Sequence, residues 1–414
     1  MAPGVIQDAL ANGLPKLKLA SIVAGQFTAI RLLGRGGYGM VYEVIRINEP
    51  QLHYACKVEA KNEHNNLKLE IEIMKLLKEK ESIHSVHVLT HGTEKNYNYV
   101  IMSLVGPNLS ELRRRLNSRT FTIYTTCVVA LQCFDAIKEI HDIGYVHRDV
   151  KPSNFAIGCF GGPRENVIHI LDFGICRCFY QENKKDKELR KPRRNTPFRG
   201  TIEYCSLNVH LCQESGRHDD MWSLLYMITE MLIGDLPWHN MDKVQVKLKK
   251  GDLQEELFER SPQEFRNIKN HLEGLTYAKC PDYEFIRSQL VRIFVANKLD
   301  PMMPLDWEPT GHYHDKFSAS RRILKDQPKG VSTISMKDLL SIPEAVPERS
   351  MGKIDDNEHV SSVSKTDDTI QMLVVPTRSK PKLPQVKGPT RNSQKARKSH
   401  TPGKNRKSKK KKPK

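Results

Sequence analysis

Long apolar runs are missing from this chain. None of its 414 residues belongs to an unbroken stretch of ~18 apolar side chains, so no membrane-spanning helix is expected. Its opening stretch, MAPGVIQDAL, lacks the basic and apolar regions of a secretory signal. No Cys-x-x-Cys pair occurs among the nine scattered cysteines, and their odd number argues against a disulfide framework. Free thiols in a reduced, intracellular protein of the cytoplasm, the nucleus or both are expected. Cys176 and Cys178 alternate, but a structural zinc site needs more ligands, so they read as small half-buried residues. Internal repeats are absent. Acidic residues are absent from Arg378 to Lys414, a stretch with sixteen Lys or Arg. The formal net charge of +18 therefore belongs mainly to this tail, and the other 377 residues carry only +2.

Strand signals come first along the chain and helix signals later. Phe27 to Val44 alternates as two strands joined by the glycine turn Gly34 to Gly39, and Tyr54 to Val58 reads as a third strand. Leu67 to Leu77 has an ambiguous period, but its interleaved Glu and Lys suit a partly exposed helix. Asn98 to Leu104 reads as a strand leading into a hinge at Gly106-Pro107. Helical periodicity then marks Thr125 to Ile143, Asp220 to Ile233 and Pro262 to Ala278. This order predicts an α+β body of two lobes with a cleft between them. Trp307 is the last strong core anchor. From about residue 315, Ser, Asp, Lys and Pro dominate, and such a segment cannot bury enough apolar surface to offset its ordering entropy. The expected division is an extension over 1–25, a folded body over 26–310 split near 104, and a disordered tail over 311–414, polybasic from 378. Within the tail, the apolar patch Ile370 to Val375 reads as an unstructured run rather than a docking peptide.

The residues that carry chemistry lie in the body. Gly34, Gly36, Gly39 and Val41 form G-x-G-x-x-G-x-V, whose glycines let backbone approach phosphate oxygens closely. A dinucleotide-binding turn would need a helix next. The strand-like Val41 to Val44 favours a hairpin over the phosphates instead, with Tyr38 at its tip shielding them from water. Lys57, inside an apolar strand after that loop, is placed to meet the α- and β-phosphates and an acid on the following helix. Glu70 and Glu72 both qualify as that acid. The most informative stretch is His147-Arg148-Asp149-Val150-Lys151-Pro152-Ser153-Asn154, followed eighteen residues after Asn154 by Asp172-Phe173-Gly174. Asp149 can orient a substrate hydroxyl or take its proton, and Lys151 can reach the transferred group. Asn154 and Asp172 offer hard oxygens to Mg2+, which bridges the phosphates of ATP and neutralises developing charge. His147 and Phe173 read as packing residues and Arg148 as a brace for the loop. Each acid alone would be an ordinary solvated residue; in this order they mark phosphoryl transfer.

With these motifs the chain resembles the protein kinase superfamily, and more narrowly the casein kinase 1 group. The Ala-Pro-Glu that usually closes the activation segment is absent. Ser206-Leu207-Asn208 stands there, after Gly200-Thr201-Ile202-Glu203-Tyr204, as is similar in that group. His218-Asp219-Asp220-Met221-Trp222, Asn154-Phe155-Ala156 and Leu305-Asp306-Trp307-Glu308 look most like the tau-tubulin kinase branch. The resemblance covers about residues 22 to 310. It implies a bilobal kinase fold and an ATP- and magnesium-dependent enzyme that phosphorylates protein Ser/Thr hydroxyls, with Lys151 marking that specificity. It favours Glu70 over Glu72 as the partner of Lys57. It implies that Asp220 supports the catalytic-loop backbone and that Met102 is the gatekeeper. Ser103 to Val105 would be the adenine-binding hinge, completed by Val41, Ala55 and Ala156.

Two positions depart from the casein kinase 1 pattern. Glu203 and Asp242 stand where that group usually has basic residues that bind a phosphate already on the substrate, and carboxylates there would repel one. The segment Lys184 to Arg199, with eight basic and two acidic residues, could attract acidic substrates from another side, or be a solvated loop. Two rival readings are a catalytically silent kinase-fold scaffold and a protein that chiefly binds polyanions or microtubules through its tail. Lys57, Asp149 and Asp172 are all present, against the scaffold. The expected partners are protein substrates and, for the tail, an acidic partner such as tubulin or nucleic acid. The chain is expected to be a monomer with no membrane partner. Lys404 to Lys414 resembles a nuclear import signal.

Overall fold

Apolar strands build the first half of the structure, a computed structural model that describes residues 10–11, 14–36, 39–61, 66–181, 188–252, 254–259, 261–318 and 340. Strands β1 (Leu10–Ala11) and β2 (Leu14–Pro15) pair with each other. Then β3 (Ile22–Val23), β4 (Phe27–Arg35), β5 (Gly39–Arg46), β6 (Glu49–Ala60), β7 (Val88–Thr93) and β8 (Tyr97–Ser103) form one antiparallel sheet in the order β3-β4-β5-β6-β8-β7. Successive residues of β6 face opposite ways. Tyr54, Cys56 and Val58 join Phe27, Tyr42 and Val44 in a core on one side of the sheet. On the other side Ala55 packs with Val100, Met102 and helix α1 (Asn66–Glu79), and this is the side of Lys57.

The sheet begins earlier than the sequence pattern indicates. Leu17 is buried and its amide donates to the Tyr42 hydroxyl at 3.0 Å. Val23 is fully buried and pairs with Phe27. The described part of the expected extension, from about residue 14 to 25, is thus packed on the sheet. Two apolar anchors six residues apart leave no periodicity to read, yet they suffice to hold an edge.

The second half is helical. Helices α2 (Leu109–Arg114) and α3 (Ile123–Asp142) precede the catalytic segment. Short strands β9 (Tyr145–Val146), β10 (Phe155–Ala156), β11 (His169–Ile170) and β12 (Arg177–Cys178) frame it, with a 3-10 turn at Pro152–Asn154. Then follow α4 (Leu207–His210), α5 (Arg217–Ile233), α6 (Lys243–Asp252), α7 (Gln254–Glu259), α8 (Gln263–Glu273), α9 (Tyr283–Ala296) and α10 (His314–Ser318). Helix α3 is apolar nearly all round because α5 and α9 pack against it, as a central helix requires. Helix α8 ends at Glu273, short of the expected Ala278, where Gly274 removes the side chain that would favour another turn.

The body also ends later than expected. Phe317, on α10, is fully buried in the main core, with the Arg115 guanidinium 5.9 Å from its ring centre. The boundary at 310 is therefore corrected to take in at least Ser318. Phe317, with the partly buried Tyr313 packed against the same core, folds this polar segment back. Leu340 is also described and packs partly buried against that core, whereas Ile370 to Val375 and the polybasic end lie outside the described residues. No described helix is long and apolar enough to cross a membrane. All nine cysteines are free.

Candidate active site

Between the sheet and the helical part lies a cavity of about 710 Å3. Its roof is the β4–β5 hairpin, where the Gly36 amide donates to the Gly39 carbonyl at 2.9 Å. A Cβ on Gly39 would strike the Val58 carbonyl oxygen, so glycine lets the loop end close onto β6. Gly34, Gly36, Gly39 and Val41 line the cavity; Tyr38 lies outside the described residues. Ala55 on β6 pairs opposite Met102 on β8, and both face the cavity. Ser103, Leu104 and Val105 line it where the chain leaves the sheet. There Ser103 donates its amide to His87 O at 2.9 Å, and Gly106 to Ile157 O at 2.8 Å. Ala156 lies on the opposite wall.

Across the cavity Lys57 Nζ meets Glu70 Oε2 at 2.6 Å and Asp172 Oδ1 at 3.0 Å. Burial alone would weaken proton binding by Lys57. The Glu70 and Asp172 carboxylates outweigh it and hold the ammonium's pKa above its ordinary value. Burial likewise works to raise Asp172, but Lys57, with His147 and Lys151, holds that carboxyl below its usual range. Helix α1 turns Glu70 inward and leaves Glu72 exposed, where it accepts only a 3.2 Å bond from the Tyr145 hydroxyl.

The segment after β9 gathers the remaining groups. Asp149 Oδ2 lies 2.7 Å from Lys151 Nζ, and its Oδ1 accepts from the Thr201 hydroxyl at 2.7 Å. Lys151 Nζ also donates to Thr201 Oγ1 at 3.0 Å. Asn154 Nδ2 donates to the Asp149 carbonyl at 2.9 Å, which leaves its own oxygen as the atom able to ligate a cation. Asn154 and Asp172 both line the cavity. No group of three or more His, Cys, Asp or Glu able to hold a metal occurs among the described residues. Two hard oxygen donors therefore fit a divalent cation that phosphates and water must complete, as magnesium-like ions prefer.

Buried supports fix this segment. Asp220 accepts the amides of His147 at 2.6 Å and Arg148 at 2.8 Å, while His141 Nε2 lies 3.0 Å from it. Burial opposes the Asp220 charge, and the bond and charge of His141 outweigh it, so the carboxyl is held low. Arg148 braces the next segment by donating to the Ile175 carbonyl at 2.6 Å. His147 and Phe173 are buried and meet edge to face at 5.8 Å. Arg148 and Asp172 both take positive φ, 69° and 66°, a strained choice for non-glycine residues.

Every predicted site residue that the structure describes lines this cavity. Thr201 was missed as a site residue, although Gly200-Thr201 was visible beside the segment. Among the described residues of the basic segment, Arg193 is neutralised by an acid outside it. Glu214, buried, accepts from Arg193 Nε at 2.5 Å and lies 3.4 Å from Arg177 Nε. Residues 182–187 lie outside the described residues.

A family model for the protein kinase domain matches residues 27–294. A Dictyostelium discoideum protein named as a serine/threonine-protein kinase is 35% identical over 292 residues, 70% of this chain and 57% of that relative's length. A Caenorhabditis elegans protein also named as a serine/threonine-protein kinase is 34% identical over 301 residues, 72% of this chain and 86% of the relative. The C. elegans serine/threonine-protein kinase spe-6 is 30% identical over 292 residues, 68% of this chain and 76% of its own.

Proposed function

The chain belongs to the protein kinase domain family, and on that premise we propose that it is an active enzyme transferring the ATP γ-phosphoryl group to protein serine and threonine hydroxyls. The observation that carries this reading is Lys57 bridging Glu70 and Asp172 across the cavity, at 2.6 and 3.0 Å. A silent scaffold has no need to bury the Lys57 and Glu70 charges and aim them at the half-exposed Asp172 carboxylate, since a buried charge is costly.

The roles follow from the geometry. The glycine hairpin offers backbone to the phosphates, and Ala55, Met102, Ser103, Val105 and Ala156 enclose the adenine end. Lys57 binds phosphate oxygens while Glu70 fixes its side chain. Asp149 orients the acceptor hydroxyl and receives its proton, with Lys151 and Thr201 fixing the carboxylate beside it. Asp172 and Asn154 would hold a divalent cation, which we assign as Mg2+. When bound it neutralises charge on the phosphates.

Within the superfamily the chain is assigned to the casein kinase 1 group, on the tau-tubulin kinase side. The support is the Ser206-Leu207-Asn208 ending and the Leu305 to Glu308 motif. The Ser206 hydroxyl donates to Asp219 Oδ1 at 2.5 Å, tying the segment end to α5 without the usual glutamate. The polybasic tail is assigned as an electrostatic address for an acidic partner, in cytoplasm or nucleus.

The test is labelled-phosphate transfer from ATP to a serine peptide by the purified full chain. Wild type is expected to be active and silenced by chelation. Asp172→Ala should lose more than ~100-fold while remaining folded. Undiminished turnover in that variant, with contaminating kinases excluded, would overturn the assignment.

A further inference from the structure

Strand β6 carries a second buried charge that the roles above do not use. Glu59 follows Lys57 by two residues, so both project from the same side of the strand. It is 1% exposed. Its Oε2 accepts the backbone amide of Leu67 at 2.9 Å. Leu67 lies in the first turn of α1, where amides have no acceptor within the helix. Glu70, the partner of Lys57, sits one turn further along the same helix. Two neighbouring positions of β6 thus reach one end of α1, one through a backbone amide and the other through a carboxylate.

The placement is an expensive one for a carboxylate. Glu70 and Asp172 already surround Lys57, and Glu59 adds a third acid to a single ammonium. An apolar residue would be cheaper to bury unless the oxygen has a task. Burial raises the Glu59 carboxyl, opposed by the Leu67 amide and Lys57 and reinforced by Asp172. Glu59 also lies opposite Gly39 in the β5–β6 register, so the same point of β6 meets both the end of the glycine loop and the start of α1.

We propose that Glu59 is a positioning residue for phosphoryl transfer: it caps α1 from the sheet and so keeps Glu70 on Lys57. The proposal rests on the kinase reading, because the position it secures matters only if Lys57 binds phosphate.

Two substitutions in the full chain separate reach from charge. Glu59→Gln keeps an acceptor at the right length and removes the charge. Glu59→Asp keeps the charge but is one methylene short of the Leu67 amide. Gln should retain kcat/KM for ATP within about twofold, whereas Asp should lose about fivefold or more, the effect of one missing helix cap. Hydrogen exchange at residues 66–70 should quicken in the Asp variant and not in the Gln variant. If Gln is impaired and Asp is not, or if both match wild type in rate and exchange, the capping role is wrong. An inactive wild type in the same assay would instead count against the kinase reading itself.

Discussion

Glu139 on α3 shows how burial sets the pH response of single residues in this fold. The Ser82 hydroxyl donates to its Oε2 at 2.5 Å. Burial pushes the carboxyl up to about 7; Ser82 and Lys138 oppose this, and Asp135 and Asp142 add to it. The folded pKa lies above the ordinary value of 4.5, so between 4.5 and 7 the folded state keeps a proton that the unfolded chain has shed. This group's contribution to stability is therefore present at low pH and lost as pH rises through that window. Glu139→Gln cannot ionise. It should gain on wild type as pH climbs from 4.5 to 7, reaching about 1–2 kcal/mol above 7 after allowance for partial exposure. Denaturant unfolding at a series of pH values checks this; a difference independent of pH would show that the carboxyl is not titrating there. At the same scale, Glu203 is paired with His239 Nδ1 at 3.0 Å, and Asp242 accepts the amides of Val244 at 2.8 Å and Gln245 at 3.0 Å at the start of α6. Neither offers a cation to a phosphate already on the substrate. Matched peptides with and without an upstream phosphoserine should thus be turned over alike, and a large gain for the phosphorylated one would locate the missing charge elsewhere.

Among the elements, α3 depends on a distant segment for its start. Thr122 donates its amide and its hydroxyl to the two oxygens of Asp306, each at 2.8 Å, and the Asp306 amide donates to Thr125 Oγ1 at 3.0 Å. Trp307 beside it packs edge-on against Phe121 at 5.9 Å. The first turn of the central helix is thus held by residues some 180 positions later. Asp306→Ala should leave buried donors unpaired and lower stability by ~2–4 kcal/mol. Urea unfolding should show a lower midpoint at unchanged slope. A shift under ~0.5 kcal/mol would mean that water replaces the carboxylate at no loss.

For the molecule as a whole, the folded limit differs from the polar limit of the sequence. A chain ending after Pro309 discards Phe317, whereas one ending after Ser318 keeps it. The shorter chain should melt at lower temperature, since loss of a buried Phe costs about 3 kcal/mol or more; equal melting would place Phe317 outside the cooperative unit. A third cut, after Val375, removes the sixteen cations from Arg378 onward. It should leave turnover of a small peptide unchanged and redistribute the protein in cells. Unaltered distribution, or lost activity, would tell against a separable address.

The sequence by itself determined the local chemistry and the elements rich enough in apolar residues to be buried. Gly34 to Gly39, Asp149 to Asn154 and Asp172 were legible because contiguous residues carry their roles together. Strands β4, β5, β6 and β8 and helices α3 and α5 were legible because their apolar residues gather between turn signals, in short runs for the strands and long ones for the helices. Only the tertiary structure decided what meets what. Periodicity left Glu70 and Glu72 as equals, and the seating of α1 against β6 turned one onto Lys57 and the other to solvent. It gave no sign of Thr201 on Asp149, of Glu59 on Leu67, or of Asp306 beneath α3. Leu17 and Val23 are buried while their apolar neighbours Leu19 and Ile22 are exposed, and Phe317 stands in a polar segment, so no pattern marks which of these is covered. A pattern along the chain records that a side chain must be covered; the partner that covers it, often a hundred residues away, is settled only when the parts pack.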